Sequence, residues 1–335
     1  MTLLGRIPRD YLILIGLVLA LLTLPSFLNQ FQLSIAILIL YWALLGAAWN
    51  LMGGYAGQFS FGHAAFYGIG AYTSTMLLTE LGLSPWLGML AGAGLAALFG
   101  IAMGYLTFRY GLKGPYFALA TFAFAELLRL ISSELKFINT SIGIHLPLTG
   151  GDSWQRLQFE DNPQNYFYAI TILFFVGYLI KISLVHSKLG YYLQAIREDE
   201  DAAAALGVNL MRYKVTAVAI SGGLTAIGGS FFAQYFFFIS PELVFGVPIS
   251  IDILLGPIIG GTGTIWGPLV GALFVTPLGE LTRAFIRTPP GFLSFIEGRS
   301  GLDVMLFGAI LIVVILFMPN GLVGLGKQLW ARVKR

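Results

Sequence analysis

The sequence predicts an all-α fold, a polytopic bundle of transmembrane helices, and three observations carry that prediction. Of 335 residues, 57% are hydrophobic and only 10% are charged, whereas a soluble domain carries about 25% charged residues. Mean hydropathy is +0.82. Apolar runs near the bilayer-crossing length of about 20 residues recur from end to end, with most charges gathered between them. Residues 1–335 read as a single membrane domain. The net charge of +3 belongs to topology rather than to nucleic-acid binding, because much of the basic charge flanks apolar spans. There is no cysteine, which excludes disulfides, thiolate metal sites and cysteine catalysis. The three histidines lie far apart, so no histidine metal cluster is expected.

The expected spans follow in order. Tyr11–Leu28 comes after Arg6 and Arg9. Leu24-Pro25-Ser26 is a poor small-x-small cleavage site, so the span is retained. Leu33–Met52 runs into a glycine-rich break, from which Ala64–Leu78 leads out. Pro85–Phe108 carries small residues at Gly88, Gly92, Ala96, Gly100 and Gly104. That stripe predicts close helix contact. Pro115–Ile131, Tyr166–Val185, Val215–Ile239 and Leu302–Met318 are uninterrupted. Ile251–Leu281 is broken by GGTGTIWGP, with Gly260, Gly261, Gly263, Gly267 and Pro268 too dense for one straight helix. It is expected as two short helices meeting within the membrane, which makes about ten membrane segments in all.

Charge orients the chain. Lys181, Lys188, Arg197, Arg212 and Lys214 place the loop 186–214 in the cytoplasm, and Arg109 and Lys113 mark an inner turn. Lys327, Arg332, Lys334 and Arg335 place the tail on the same side, so both termini are expected inside. The crossings between loop and tail must then be even, which requires Ile251–Leu281 to enter and return. The polar segment 134–165, with Asp152, Glu160 and Asp161, falls outside.

Within the loop, Glu198, Asp199, Glu200 and Asp201 precede Ala202 to Ala205. Acids favour a helix N-terminus and alanine favours the helix itself. Gly207 suits the left-handed end. A short surface helix is expected, with alanines that let another backbone approach. No G-x-x-x-x-G-K-[ST] occurs, so ATP, if it drives the protein, must bind a separate subunit.

The stretch AIREDEDAAAALGVN, with Asp201-Ala202-Ala203 three residues before Gly207, resembles the E-A-A-x-x-x-G loop of bacterial ABC importer permeases. Together with NLMGGYAGQFSFGHAAFYGIGAY from Asn50, GGTGTIWGPLVGA from Gly260 and FMPNGLVG from Phe317, it resembles the branched-chain amino-acid ABC permease family, and the larger of its two usual subunits. The resemblance implies a non-enzymatic transport subunit of the bacterial plasma (inner) membrane. A second permease subunit, two ATPase subunits, an external solute-binding protein and surrounding lipid would be its partners. No cofactor would be bound by this chain. Arg197, Glu198, Asp199, Glu200, Asp201, Ala202, Ala203 and Gly207 would couple to the ATPase. The outer stretch NTSIGIHLPLTGGDSW keeps Thr149-Gly150-Gly151 but departs beyond it. That leaves urea, short amides and small carboxylates as alternative solutes.

Gly53, Gly54 and Gly57 beside Gln58, Ser60 and His63, and Gly260, Gly261 and Gly263 further on, are the candidate pathway residues. Non-helical backbone at membrane depth must be buried in protein or line a wet cavity. Glu126 and Arg129 share a helix face and are expected to pair. Glu126 is also the carboxylate an ion-coupled carrier would use, which makes that the rival reading. A membrane enzyme lacks a recognisable nucleophile, metal cluster or close carboxylate pair. Asp252, Glu280 and Arg283 are read as span-boundary residues, and His145 and His186 carry no functional signal.

Overall fold

The computed structural model describes residues 8–134, 143–148, 150–287, 301–318 and 321–326. The tail residues Lys327, Arg332, Lys334 and Arg335, as well as Arg6 and Thr149, lie outside the described residues. The helices are α1 (Arg9–Thr23), α2 (Gln30–Asn50), α3 (His63–Leu81), α4 (Pro85–Arg109), α5 (Pro115–Glu134), α6 (Gln164–Val185), α7 (Lys188–Glu198), α8 (Glu200–Ala205), α9 (Leu210–Phe236), α10 (Pro241–Phe245), α11 (Val247–Gly260), α12 (Gly267–Arg287) and α13 (Leu302–Phe317). Two-residue strands β1 (Ile144–His145) and β2 (Phe238–Ile239) pair antiparallel. Among the described residues, eight helical segments are long and apolar enough to cross a membrane, and α10–α11 together form one of them. The more polar α3 and the shorter α13 complete the expected set.

Contacts sort the connections onto two ends. At one end Asp10 in α1 accepts from Trp266 Nε1 at 3.0 Å and pairs with His186 Nε2 at 3.0 Å. Lys113, in the α4–α5 turn, pairs with Glu200 of α8 at 3.1 Å. Gly321 lies against Gly261. At the opposite end Trp86 Nε1 donates to Trp154 O at 2.7 Å, and β1 joins β2. The α6–α9 loop and the Gly321 segment thus share an end, with four crossings between them. The arrangement agrees with the even count expected from charge.

Small residues set the core. Gly92 meets Gly70 and Gly88 meets Ser74, each so closely that an added Cβ would sit 3.0 and 2.8 Å from the neighbouring Cα. The stripe on α4 therefore packs backbone against backbone on α3, and its lower part packs against Val215 and Val218 of α9.

The region 251–281 differs from expectation in its proportions. α11 is short, but α12 is 21 residues long, about 31 Å at 1.5 Å per residue. It is a full crossing rather than a half. The dense breakers are confined to residues 260–268, and beyond Pro268 the helix continues through Pro277 to Arg287. α11 and α12 run antiparallel along a glycine seam. A Cβ on Gly260 would strike Gly267 O, and one on Gly271 would strike Gly256 O. Pro257 and Pro268 both rest in the notch at Gly46 of α2. Pro257 and Pro277 lie inside their helices.

Candidate functional site

The acidic run does not form one helical turn. Glu198 ends α7, and Asp199 is extended, at φ −156° and ψ 110°. Its carboxylate accepts from the N–H groups of Asp201 and Ala202, both at 2.9 Å. Asp199 is thus the N-cap of α8, satisfying donors that a helix start leaves free. Gly207 ends α8 at φ +86°, and its N–H reaches Ala204 O at 2.9 Å. Of the four alanines, Ala203 is buried inside this chain, while Ala202, Ala204 and Ala205 face outward with Leu206.

Glu200 turns inward. It pairs with Lys214, with Lys113 at 3.1 Å, and accepts from Gln58 Nε2 at 3.1 Å. Partial burial pushes its carboxyl up, but hydrogen bonds from Lys214 and Lys113 outweigh burial and hold it below the usual carboxylate range. Lys214 also lies over the Phe108 ring, 5.2 Å from its centre.

Arg197 reaches further. Its Nη1 donates to Gly54 O at 2.7 Å. A Cβ on Gly263 would lie 2.1 Å from the same nitrogen, and one on Gly57 would lie 3.1 Å from Arg197 Cγ. The glycines therefore let one guanidinium touch two breaks at once. Between the breaks, Asn50 Nδ2 donates to Thr264 O at 2.8 Å, and Gly263 N donates to Asn50 Oδ1 at 2.8 Å. Lys181 Nζ donates to Ile265 O at 2.8 Å. Residues Leu51–Tyr55 form a widened π-helical turn, a feature frequent at functional sites.

Two residue sets that sequence separates are thus joined. Arg197 and Glu200 from the loop meet Gly54, Gly57 and Gln58 of the first break and Gly263 of the second. Gly260 and Gly261 sit behind, against Gly267 and Gly321. Glu198, Asp199, Asp201, Ala202 and Gly207 form the exposed side. Of the polar pathway candidates, Gln58, Ser60 and His63 are buried within this chain, at 6%, 0% and 0% exposure. Ser221 Oγ donates to Ala48 O at 2.7 Å, so it accepts from His63 Nε2 at 2.9 Å. Gly53 is covered by the Trp49 ring, whose Nε1 donates to Ser60 O at 2.9 Å. Their polar contacts go to this chain's own backbone and side chains. Asn50 and Lys181 escaped the sequence reading as site residues, although each is a lone polar group in an apolar run. Glu126 and Arg129 pair at 2.6 Å, and Arg129 also reaches Glu242 at 3.5 Å, away from the junction.

Residues 31–315 match the family described as "Branched-chain amino acid transport system / permease component". The chain belongs to this family. It is 26% identical over 339 residues to the high-affinity branched-chain amino acid transport permease LivM of Escherichia coli, covering 95% of this chain and 76% of that one. To LivH of Salmonella typhimurium it is 24% identical over 298 residues, covering 84% and 91%. The broader match is to LivM, the longer of the two relatives. A nucleoside ABC transporter permease of Lactococcus lactis, NupC, is 25% identical over 229 residues, covering 62% of this chain and 68% of that one. No solved structure matches. Like its family, the chain is a multi-pass membrane transport component, and Gly54, Arg197, Gly263 and Gly321, one from each of the four stretches that resembled the family in sequence, lie at the same end of the bundle.

Proposed function

We propose that the chain is the LivM-like permease subunit of an ATP-driven importer of branched-chain or other small, partly apolar amino acids, in a bacterial inner membrane. Two ATPase subunits bind the nucleotide, a second permease subunit completes the pathway, and an external binding protein delivers the solute. The ATPase docks on the outward face of α8, formed by Asp201, Ala202, Ala204, Ala205 and Leu206. The end bearing α8 is the cytoplasmic one, where basic residues concentrate.

One observation carries the mechanism: the Arg197 guanidinium bonds Gly54 O while lying against Gly263. A push on α8 passes through Arg197 and Glu200 to both helix breaks together. The glycine breaks Gly53–Gly57 and Gly260–Gly263 then act on the pathway by moving the helices that wall it. Transport needs no bond chemistry in this subunit, and alternating access suffices.

Arg197→Met tests the reading in proteoliposomes holding the complete importer. ATP hydrolysis is expected to persist while leucine carried per ATP falls about tenfold, in line with losing one charge-assisted hydrogen bond. Unchanged leucine per ATP overturns the coupling role. Uptake that proceeds without ATP overturns the importer reading in favour of an ion-coupled carrier.

A further inference from the structure

Asp252, Glu280 and Arg283, together with Asp303, line a half-open cavity of about 250 Å³ between α2, α9, α11, α12 and α13, Asp252 and Arg283 being exposed there. It lies in the half of the bundle away from α8 and reaches inward to Tyr41 and Thr276. A cavity of about 150 Å³ already accepts a benzene-sized molecule, so a solute of leucine's size has room.

The lining is divided in character. Tyr41, Trp42, Phe232 and Phe307 supply an aromatic wall. Glu280 and Arg283 are paired at 2.6 Å, and the other guanidinium donors have no partner among the described residues. Asp252 and Asp303 have no hydrogen-bond or ion-pair partner at 4 Å or less among the described residues. The Thr276 hydroxyl is buried and also without a hydrogen-bond partner among them. Ionisable residues within membrane segments are costly, and function is the default reason for keeping them. A buried hydroxyl without a partner costs about 1–3 kcal/mol, which a bound polar group offsets.

We propose that this cavity is a solute site for a zwitterionic amino acid with an apolar side chain. The ammonium group lies against Asp252 and Asp303, the carboxylate against Arg283 and the Thr276 hydroxyl, and the side chain against Tyr41, Trp42 and Phe232. Charges of both signs suit a zwitterion, and the surplus of carboxylates favours its ammonium end. This assignment rests on the amino-acid importer reading above.

The test is uptake of labelled leucine per ATP hydrolysed by the complete importer in proteoliposomes, with adenosine as the comparison solute. Asp252→Asn is expected to lower leucine per ATP about tenfold or more, as for a lost charge-assisted bond, and Thr276→Val about threefold. ATP hydrolysis stimulated by the loaded binding protein is expected to stay within about twofold, because the junction at the other end is intact. Thr276→Val removes no bond within the chain. It therefore decides the matter should Asp252→Asn prevent assembly. Leucine per ATP unchanged in an assembled Thr276→Val complex, or in Asp252→Asn, overturns the site while leaving the importer reading standing. A wild-type importer that carries adenosine and no amino acid overturns the importer's solute reading, and the ligand assignment falls with it.

Discussion

Replacing Gly263 by alanine probes the contact between the α7–α8 loop and the second helix break. Gly263 has φ +71°, and a Cβ there would lie 2.1 Å from Arg197 Nη1 and 3.0 Å from Gly54 O. Two costs add. A left-handed backbone costs an L-residue roughly 1–2 kcal/mol. The methyl also evicts the guanidinium, and the lost charge-assisted bond to Gly54 costs about 1.5–3 kcal/mol. The sum is about 2.5–5 kcal/mol. Gly207 provides the control, because its φ is +86° and nothing lies within 4 Å of an added Cβ. Gly207→Ala therefore carries the backbone cost alone, roughly 1–2 kcal/mol. Arg197→Met combined with Gly263→Ala loses the same bond only once, so the double variant falls short of the summed singles by about 1.5–3 kcal/mol. Thermal unfolding of the purified complex measures stability, and solute carried per ATP measures coupling. Equal losses from the two glycine variants, with strict additivity in the double variant, would refute the contact.

Glu200 gives a pH prediction. A carboxyl held below its ordinary value stabilises the fold above the unfolded pKa of about 4.3 and loses that contribution as pH falls through the depressed value. Thermal stability of the loop is expected to be flat from neutrality to about pH 5 and to fall below that, while Glu200→Gln lowers it at neutral pH and flattens the acid limb. Lys181→Met removes a buried amino group whose hydrogen bonds go to Thr264 and Ile265 carbonyls. Removing it leaves those carbonyls without that donor, which costs about 1–3 kcal/mol, so the melting temperature is expected to fall modestly while leucine per ATP drops. Leucine per ATP unchanged in the assembled variant would make Lys181 a structural residue only. Single cysteines at Asp152 and Glu198, in a chain that has none of its own, are expected to react with an impermeant reagent in intact cells at Asp152 alone. Labelling of Glu198 instead reverses the proposed orientation.

The sequence made the membrane class plain because apolar spans and basic turns are local signals. It also revealed the close contact of α4, since a small residue at every fourth position faces one way on a helix. The broken helix at Gly260–Pro268 was legible from its breakers, but the length of α12 was not, because Pro277 lies inside the helix without ending it. The junction was the least legible part. Arg197 lies 143 residues from Gly54 along the chain, and neither residue's own surroundings name the other. Likewise, an exposed alanine and a buried one look alike in sequence. Only the turn at Asp199 decides that Ala203 faces inward and Ala202 outward. Asp252, Glu280 and Arg283 read as end-of-span charges one at a time, and as a set only once α11 and α12 are folded together.

The two prolines within α11 and α12 have a mechanical consequence. Proline has no N–H, so Pro257 leaves the Ile253 carbonyl, and Pro277 the Leu273 carbonyl, without its usual helical donor. Bending at either point breaks no hydrogen bond of the regular ladder. Both positions flank cavity-lining residues, Gly256 beside Pro257 and Thr276 beside Pro277. By contrast, the seam is closed by backbone contact from Gly260 and Gly267 as far as Gly256 and Gly271, and Pro257 is seated against Gly46, so the slack lies at Pro277. The hairpin is therefore stiff where it meets the loop junction and compliant where it walls the cavity. A displacement delivered at the stiff end is carried along the pair as a lever arm and released as a change of shape at the other.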